Sequence, residues 1–145
     1  MSITTERIFT IFDSEGLRST RPRRLIAEHL AALAASGAVF TLEDFWHDLQ
    51  QLDPHVGRAT VYRAVELLTE HGVLDRVEFP DGTHRYRVCG NSHHHHLTCT
   101  RCHQVVEVVA CLSGEQLAAI ASQNDFALEG HSLELFGRCA NCREE

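Results

Sequence analysis

The run from Cys89 to Cys102, C-G-N-S-H-H-H-H-L-T-C-T-R-C, packs three thiols and four imidazoles into fourteen residues, and a second C-x-x-C follows at Cys139 and Cys142. Thiolate and imidazole suit zinc, and a C-x-x-C turn offers two sulfurs to one tetrahedral ion. One such pair could be a redox couple. Two pairs, separated by enough chain for a helix and strands, read as a closed structural zinc site of Cys99, Cys102, Cys139 and Cys142. The competing reading, a disulfide framework, belongs to oxidising compartments. Met1 to Phe12 lacks the basic start and apolar run of an export signal. A reduced, cytoplasmic chain is therefore expected, and the metal reading with it.

At 145 residues the chain can form one ordinary domain or two small ones. A small domain buries little apolar surface, so a structural metal would support the weaker half. No stretch approaches the ~18 apolar residues of a membrane span, so no membrane partner is expected. The formal charge of −7 argues against a nucleic-acid partner, but its distribution argues for one. Apart from histidine, every basic residue is arginine. Arg18, Arg21, Arg23 and Arg24 fall close together with no acid among them, and Arg58 and Arg63 form a second such group. Arginine grips phosphates and guanine edges bidentately, so local patches count for more than the sum.

Apolar spacing predicts a short amphipathic helix over Thr4 to Asp13, ended by Gly16. Thr20 is placed to cap a second helix, with Pro22 early in it and Gly37 beyond its end. Thr41 with Asp44 resembles a capping box for a third helix, closed at Asp53-Pro54. A fourth, from about Arg58 to His71, turns Val61, Val65, Leu67 and Leu68 inward. Its outer side opens with Arg58, Thr60, Tyr62 and Arg63, as a helix-turn-helix reader does for the major groove. An ordinary solvated face would carry the same polar groups. Alternation over Val73–Phe79 and His84–Val88 about the Pro80-Asp81-Gly82 turn then predicts a hairpin. Helices followed by a hairpin make a winged helix.

The expected fold class is α+β: a winged-helix DNA-binding domain over 1–88, a hinge at 89–92, and a small α/β metal-binding dimerisation domain over 93–145. The second domain should hold a His-rich strand, a strand at Val105–Val109, a helix from Ser113 to Ser122, and strands near Leu128 and Leu133–Phe136. Side chains alternate along a strand, so His93 and His95 should face one way and His94 and His96 the other. Two metal sites on opposite faces can use all four; one cannot.

Four stretches, G-L-R-S-T-R-P-R-R, G-R-A-T-V-Y-R-A-V-E-L-L, H-H-H-H-L-T-C-T-R-C and H-S-L-E-L-F-G-R-C-A-N-C, resemble the ferric uptake regulator family of dimeric, metal-dependent bacterial repressors. The resemblance spans nearly the whole chain. Iron- and peroxide-sensing members carry a histidine before the third helix, where this chain has Val39. Many iron sensors carry a glutamate in the second wing strand, where it has Arg87. Zinc-sensing members use an aspartate and a cysteine at the positions of Asp75 and Cys89. The resemblance therefore assigns a sensing zinc to Asp75, Cys89, His94 and His96, with Glu107 a carboxylate some relatives use nearby. One thiolate, two imidazoles and a carboxylate independently suit tetrahedral zinc and disfavour Mn²⁺.

The family's other frequent site implies His93, His95 and His131 with a glutamate. Alignment puts Gly114 at that last place and Glu115 beside it, so Glu115, water or Cys111 would complete the set. Cys111 is otherwise expected as a small buried residue. Two to three zinc ions per chain follow. On an operator, the resemblance implies that Arg18, Arg23 and Arg58 hold phosphates while Tyr62 and Arg63 reach bases. The expected activity is zinc-dependent repression by a homodimer on palindromic double-stranded DNA, with no catalysis and no small-molecule substrate. The rivals are an iron, manganese or peroxide sensor of the same family and, more remotely, a zinc enzyme. The H-x-E with P-C-x-x-C and H-E-x-x-H signatures of such enzymes are missing.

Overall fold

A computed structural model describes residues 3–89 and 94–144. The chain divides into a first unit, Met1–Glu78 with Gly82–Asn91, and a second, Phe79–Asp81 with Ser92–Glu145. Most of the expected hinge, and His93 with it, lies outside the described residues.

The first unit runs α1 (Ile3–Ser14), α2 (Arg21–Ser36), β1 (Val39–Phe40), α3 (Leu42–Leu52), α4 (Arg58–Glu70), β2 (Leu74–Glu78) and β3 (His84–Val88). Local chemistry sets its boundaries. The Thr20 side chain accepts from the Arg23 N–H at the start of α2, and Thr41 accepts from the Asp44 N–H at the start of α3, each satisfying an orphan donor of a first turn. Gly37 ends α2 in the left-handed region at φ 68°. A Cβ there would be strained, and would also stand 3.3 Å from the Arg87 guanidinium.

The four helices and the sheet close over one apolar core: Ile8 and Phe12 of α1, Ile26 and Leu30 of α2, Phe45 and Leu49 of α3, Val61, Val65 and Leu68 of α4, and Leu74 of β2. Burying each such side chain fully contributes about 1.5–3 kcal/mol. On α4, Ala64 is buried and the expected Leu67 only partly so, because the inward stripe follows the 61-64-65-68 spacing of one helix face. The wing is broader than the expected hairpin. The short strand β1 pairs antiparallel with β3, making a sheet in the order β1-β3-β2. Two residues are too few to show alternation, which is why this strand escapes periodicity.

The second unit contains β4 (His95–Cys99), β5 (Val105–Val108), α5 (Gly114–Gln123) and β6 (Glu134–Gly137). Its sheet order is β5-β4-β6, with β4 antiparallel to β5 and parallel to β6. Ser113 and Gln116 form a reciprocal capping box at the start of α5. No strand forms near Leu128, which is half exposed. Its apolar neighbours have no ladder partner among the described residues, and apolar character alone does not make a strand. The unit buries few large apolar side chains. Ile120, Phe126, Leu128 and Val109 stand open, Phe126 at 74% and Val109 at 82% exposure. Among the described residues no helix is long and apolar enough to cross a membrane.

Candidate metal centres and nucleic-acid interface

Cys99 ends β4, Cys102 lies in the turn that follows, and Cys139 and Cys142 lie in the turn after β6. The parallel β4–β6 register, with Cys99 opposite Gly137, brings the two turns to one end of the sheet. The four Sγ atoms all lie within 4.8 Å of one another, with Cys102 and Cys139 at 3.7 Å. A tetrahedron with Zn–S bonds of about 2.3 Å has edges of about 3.8 Å, so these residues fit zinc. They do not fit disulfides, whose sulfurs stand about 2.05 Å apart; none of the six cysteines is in a disulfide. Backbone N–H groups of Cys102 and Cys139 point at Cys99 Sγ, at 3.5 and 3.4 Å. Those bonds, Cys102 first, hold the Cys99 thiol down to about 5, so it stands ready as a thiolate at neutral pH. Hydrogen bonding to Cys139 pushes Cys142 up to about 12, as expected of neighbouring sulfurs that cannot all ionise without a cation.

A second cluster joins His95 of β4, Cys111 of the β5–α5 connection and His131 of the α5–β6 connection. Cys111 Sγ stands 3.0 Å from His95 Nε2 and 3.1 Å from His131 Nε2. Glu115 is not in this cluster. Cys111 is exposed, correcting the expectation of a buried small residue. The connection before α5 runs over the surface, and the cysteine reaches the two histidines from outside.

The expected sensing residues divide between the units. In the first, the Cys89 N–H donates to Val73 O at 2.9 Å, continuing the β2–β3 ladder, and Cys89 is 6% exposed. Paired residues share a sheet face, as do residues two apart, so Cys89 and Asp75 lie on one face. Val39 pairs directly with Arg87. Arg87 donates to Gly37 O at 3.1 Å and reaches Cys89 Sγ at 4.0 Å. A guanidinium cannot ligate a cation. In the second unit, the His94 and His96 rings lie 5.1 Å apart, on the opposite face from His95. His96 pairs with Glu107 on β5 and Glu134 on β6, and its Nδ1 stands 3.9 Å from Glu134 Oε1. Glu134 escaped the sequence reading because only the parallel register places it beside His96.

Of the expected DNA-binding residues, α4 carries Arg58, Thr60, Tyr62 and Arg63 at its N-terminal half. Arg63 is exposed and its Nε donates to Ala59 O. Thr60 is half-buried. Gly57 offers α4 no side-chain cap, so first-turn N–H groups remain for solvent or an anion. Arg58 is committed internally. It pairs with Glu43, donates to the Tyr62 hydroxyl at 2.9 Å, and lies over the Trp46 and Tyr62 rings at 5.6 and 5.0 Å. Tyr62 donates to Glu43 at 2.6 Å. Those bonds, Tyr62's first, lower the Glu43 carboxyl below its ordinary 4.5, and bonding to Tyr62 raises Arg58. Near α2, Arg18 is exposed and Arg23 donates to its carbonyl at 2.9 Å. Arg21 pairs with Asp53 at 2.9 Å. The basic clusters are therefore acid-free in sequence but not in space: Glu43 and Asp53 come from another helix and its cap.

Residues 14–136 match the Ferric uptake regulator family. The Ferric uptake regulation protein of Campylobacter jejuni is 30% identical over 99% of this chain and 90% of its own length. The Zinc uptake regulation protein of Mycobacterium tuberculosis is 33% identical over 88% and 96%. A solved zinc uptake regulator complexed with zinc and DNA superposes with a TM-score of 0.71 at 26% identity, covering 99% of this chain and 97% of that one. With the fold, the four-cysteine cluster and these likenesses in agreement, the chain belongs to the ferric uptake regulator family of metal-responsive transcriptional regulators.

Proposed function

We propose that this protein is a zinc-sensing repressor, binding a palindromic operator as a homodimer when zinc is held by Asp75, Cys89, His94 and His96. The supporting observation is the Val39–Arg87 pair. At two positions where iron-sensing relatives supply ligands, this chain faces an apolar side chain against a cation. The donor set itself, one thiolate with two imidazoles and a carboxylate, matches zinc better than manganese. The solved zinc uptake regulator with zinc and DNA supports the same reading.

Asp75 and Cys89 belong to the first unit and His94 and His96 to the second, so one ion held by all four restrains the units' relative motion. In a two-fold dimer that restraint sets the spacing of the two α4 helices, which must meet half-sites about one DNA turn apart. Moving a two-state equilibrium from 1:99 to 99:1 takes about 5.5 kcal/mol of differential binding. Structural zinc in small domains supplies roughly 10–16 kcal/mol, so coordination can drive the change. The four-cysteine zinc stays bound and holds the second unit together. The open apolar residues of that unit, Ile120, Phe126 and Leu128 among them, are the surface a second copy would cover.

An iron- or manganese-responsive reading has one observation in its favour: Glu107 and Glu134 flank His96, and oxygen ligands suit harder ions. Gel-shift on the protein's own upstream region separates the two, with Zn²⁺, Fe²⁺ and Mn²⁺ supplied singly and with chelator. Zinc alone should restore binding at low free concentration; restoration by Fe²⁺ or Mn²⁺ but not Zn²⁺ would overturn the proposal.

A further inference from the structure

We propose that Glu43 is a positioning residue for base recognition: it holds the Tyr62 hydroxyl as a hydrogen-bond acceptor only, so that Tyr62 selects a base presenting an exocyclic amine, adenine or cytosine, over guanine or thymine. This deepens the operator-binding reading and rests on it, but not on which metal is sensed.

The hydrogen-bond inventory of the hydroxyl carries the inference. A phenol has one proton to give and two lone pairs that accept. Its oxygen lies 2.6 Å from Glu43 Oε1. The Glu43 carboxyl is held below its ordinary 4.5, first by this bond, so at neutral pH the carboxylate only accepts and takes the tyrosine's one proton. Arg58, which has donors and no acceptor, donates into one lone pair at 2.9 Å. The hydroxyl keeps one lone pair free. If Arg58 turns to a phosphate it keeps two, and still no proton. In the major groove adenine N6 and cytosine N4 donate, whereas guanine O6 and N7 and thymine O4 accept. An acceptor-only hydroxyl bonds to the first pair and meets the others lone pair against lone pair.

The arrangement is built into the first unit. Glu43 lies in the first turn of α3, whose start Thr41 caps, and Tyr62 packs partly against the apolar core. Trp46 Nε1 donates to Val56 O at 3.1 Å, which fixes the indole that Arg58 covers together with the Tyr62 ring. The side chains of Arg58 and Glu43 are 55% and 46% exposed, so the hydroxyl they hold lies at the surface of the unit, on the N-terminal half of α4.

The test uses the full-length protein with whichever of Zn²⁺, Fe²⁺ and Mn²⁺ supports operator binding in the gel-shift, so a wrong metal assignment leaves the comparison intact. The operator is varied one base pair at a time, and each duplex competes against the parent in anisotropy titrations. At one position in each half-site the wild type should favour adenine or cytosine by about two- to tenfold, the range of a single hydrogen bond. Tyr62→Phe and Glu43→Ala should each lose that preference, and the double variant should resemble either one. Glu43→Ala should bind random DNA no more weakly than wild type, which a merely structural loss would not allow. Replacing the preferred base by its analogue lacking the exocyclic amine (purine for adenine) should cost the wild type the same factor and Tyr62→Phe nothing. The wild-type half of that comparison does not depend on any variant folding. An operator with no amine-dependent position, a preference that Tyr62→Phe removes but Glu43→Ala keeps, or a Tyr62-dependent preference for guanine or thymine would each overturn the proposal.

Discussion

Tyr62 of α4 donates its hydroxyl to the Glu43 carboxylate of α3 at 2.6 Å, and Arg58 leans on both. Two side chains expected at the DNA are thus engaged by an acid of the same unit. For Arg58 to hold a phosphate as expected, that phosphate must take Glu43's place, so Glu43 would then oppose binding on any sequence. Glu43→Gln should strengthen binding to random DNA. Every additional phosphate neutralised in that variant should also steepen the dependence of log affinity on log salt by about 0.9. Anisotropy titrations across salt concentrations measure both. Unchanged affinity and slope would show that Arg58 does not leave Glu43 when DNA binds.

The same carboxylate gives a pH signature. Its folded value lies below the ordinary 4.5, chiefly through the Tyr62 hydrogen bond. A depressed acid contributes stability that is full above its unfolded value and lost as pH falls through the folded one. Wild-type thermal stability should therefore fall on acidification below 4.5 by more than that of Glu43→Gln, with the two differing least at the acid end. Parallel curves down to about pH 3 would mean that the exposed cluster is screened to insignificance.

Arg63, exposed on α4 and bonded to its own helix at Ala59 O, is a residue expected to read a base. Arg63→Ala should weaken operator binding by about 1–3 kcal/mol while leaving random-sequence affinity nearly unchanged. An equal loss on both would reassign it to a phosphate.

Removing the four-cysteine zinc should undo the second unit selectively. That unit buries few large apolar side chains, so metal coordination replaces much of a missing core. Cys139→Ser should bind less zinc after purification and lose the cooperative unfolding of α5 and its sheet. The first unit, with Phe45, Ile26 and Leu30 in its own core, should keep its tryptophan signal from Trp46. Full retention of both transitions would contradict a structural role for the metal.

What the chain disclosed before folding, and what it did not, divides by range. Capping residues act within four positions, so Thr20, Gly37 and Thr41 announced helix boundaries that the structure keeps. The C-x-x-C pairs are likewise local and specific. Strand alternation separated the histidines correctly where they are described: His95 joins Cys111 and His131, while His94 lies beside His96. The failures are tertiary. Asp53 against Arg21, Glu43 against Arg58 and Glu134 beside His96 depend on helix packing or strand register. Cys111 carried no periodic signal, and its partners stand 16 and 20 residues away.

The central claim is that zinc at Asp75, Cys89, His94 and His96 converts the protein to its DNA-binding form. The most direct measurement is operator affinity against buffered free zinc, for wild type and Cys89→Ser, with the four-cysteine zinc present in both. The wild type should gain about 100-fold as its competent fraction moves from roughly 1% to 99%, while Cys89→Ser, folded and dimeric, stays at the metal-free level. Superimposable curves for the two proteins would contradict the account.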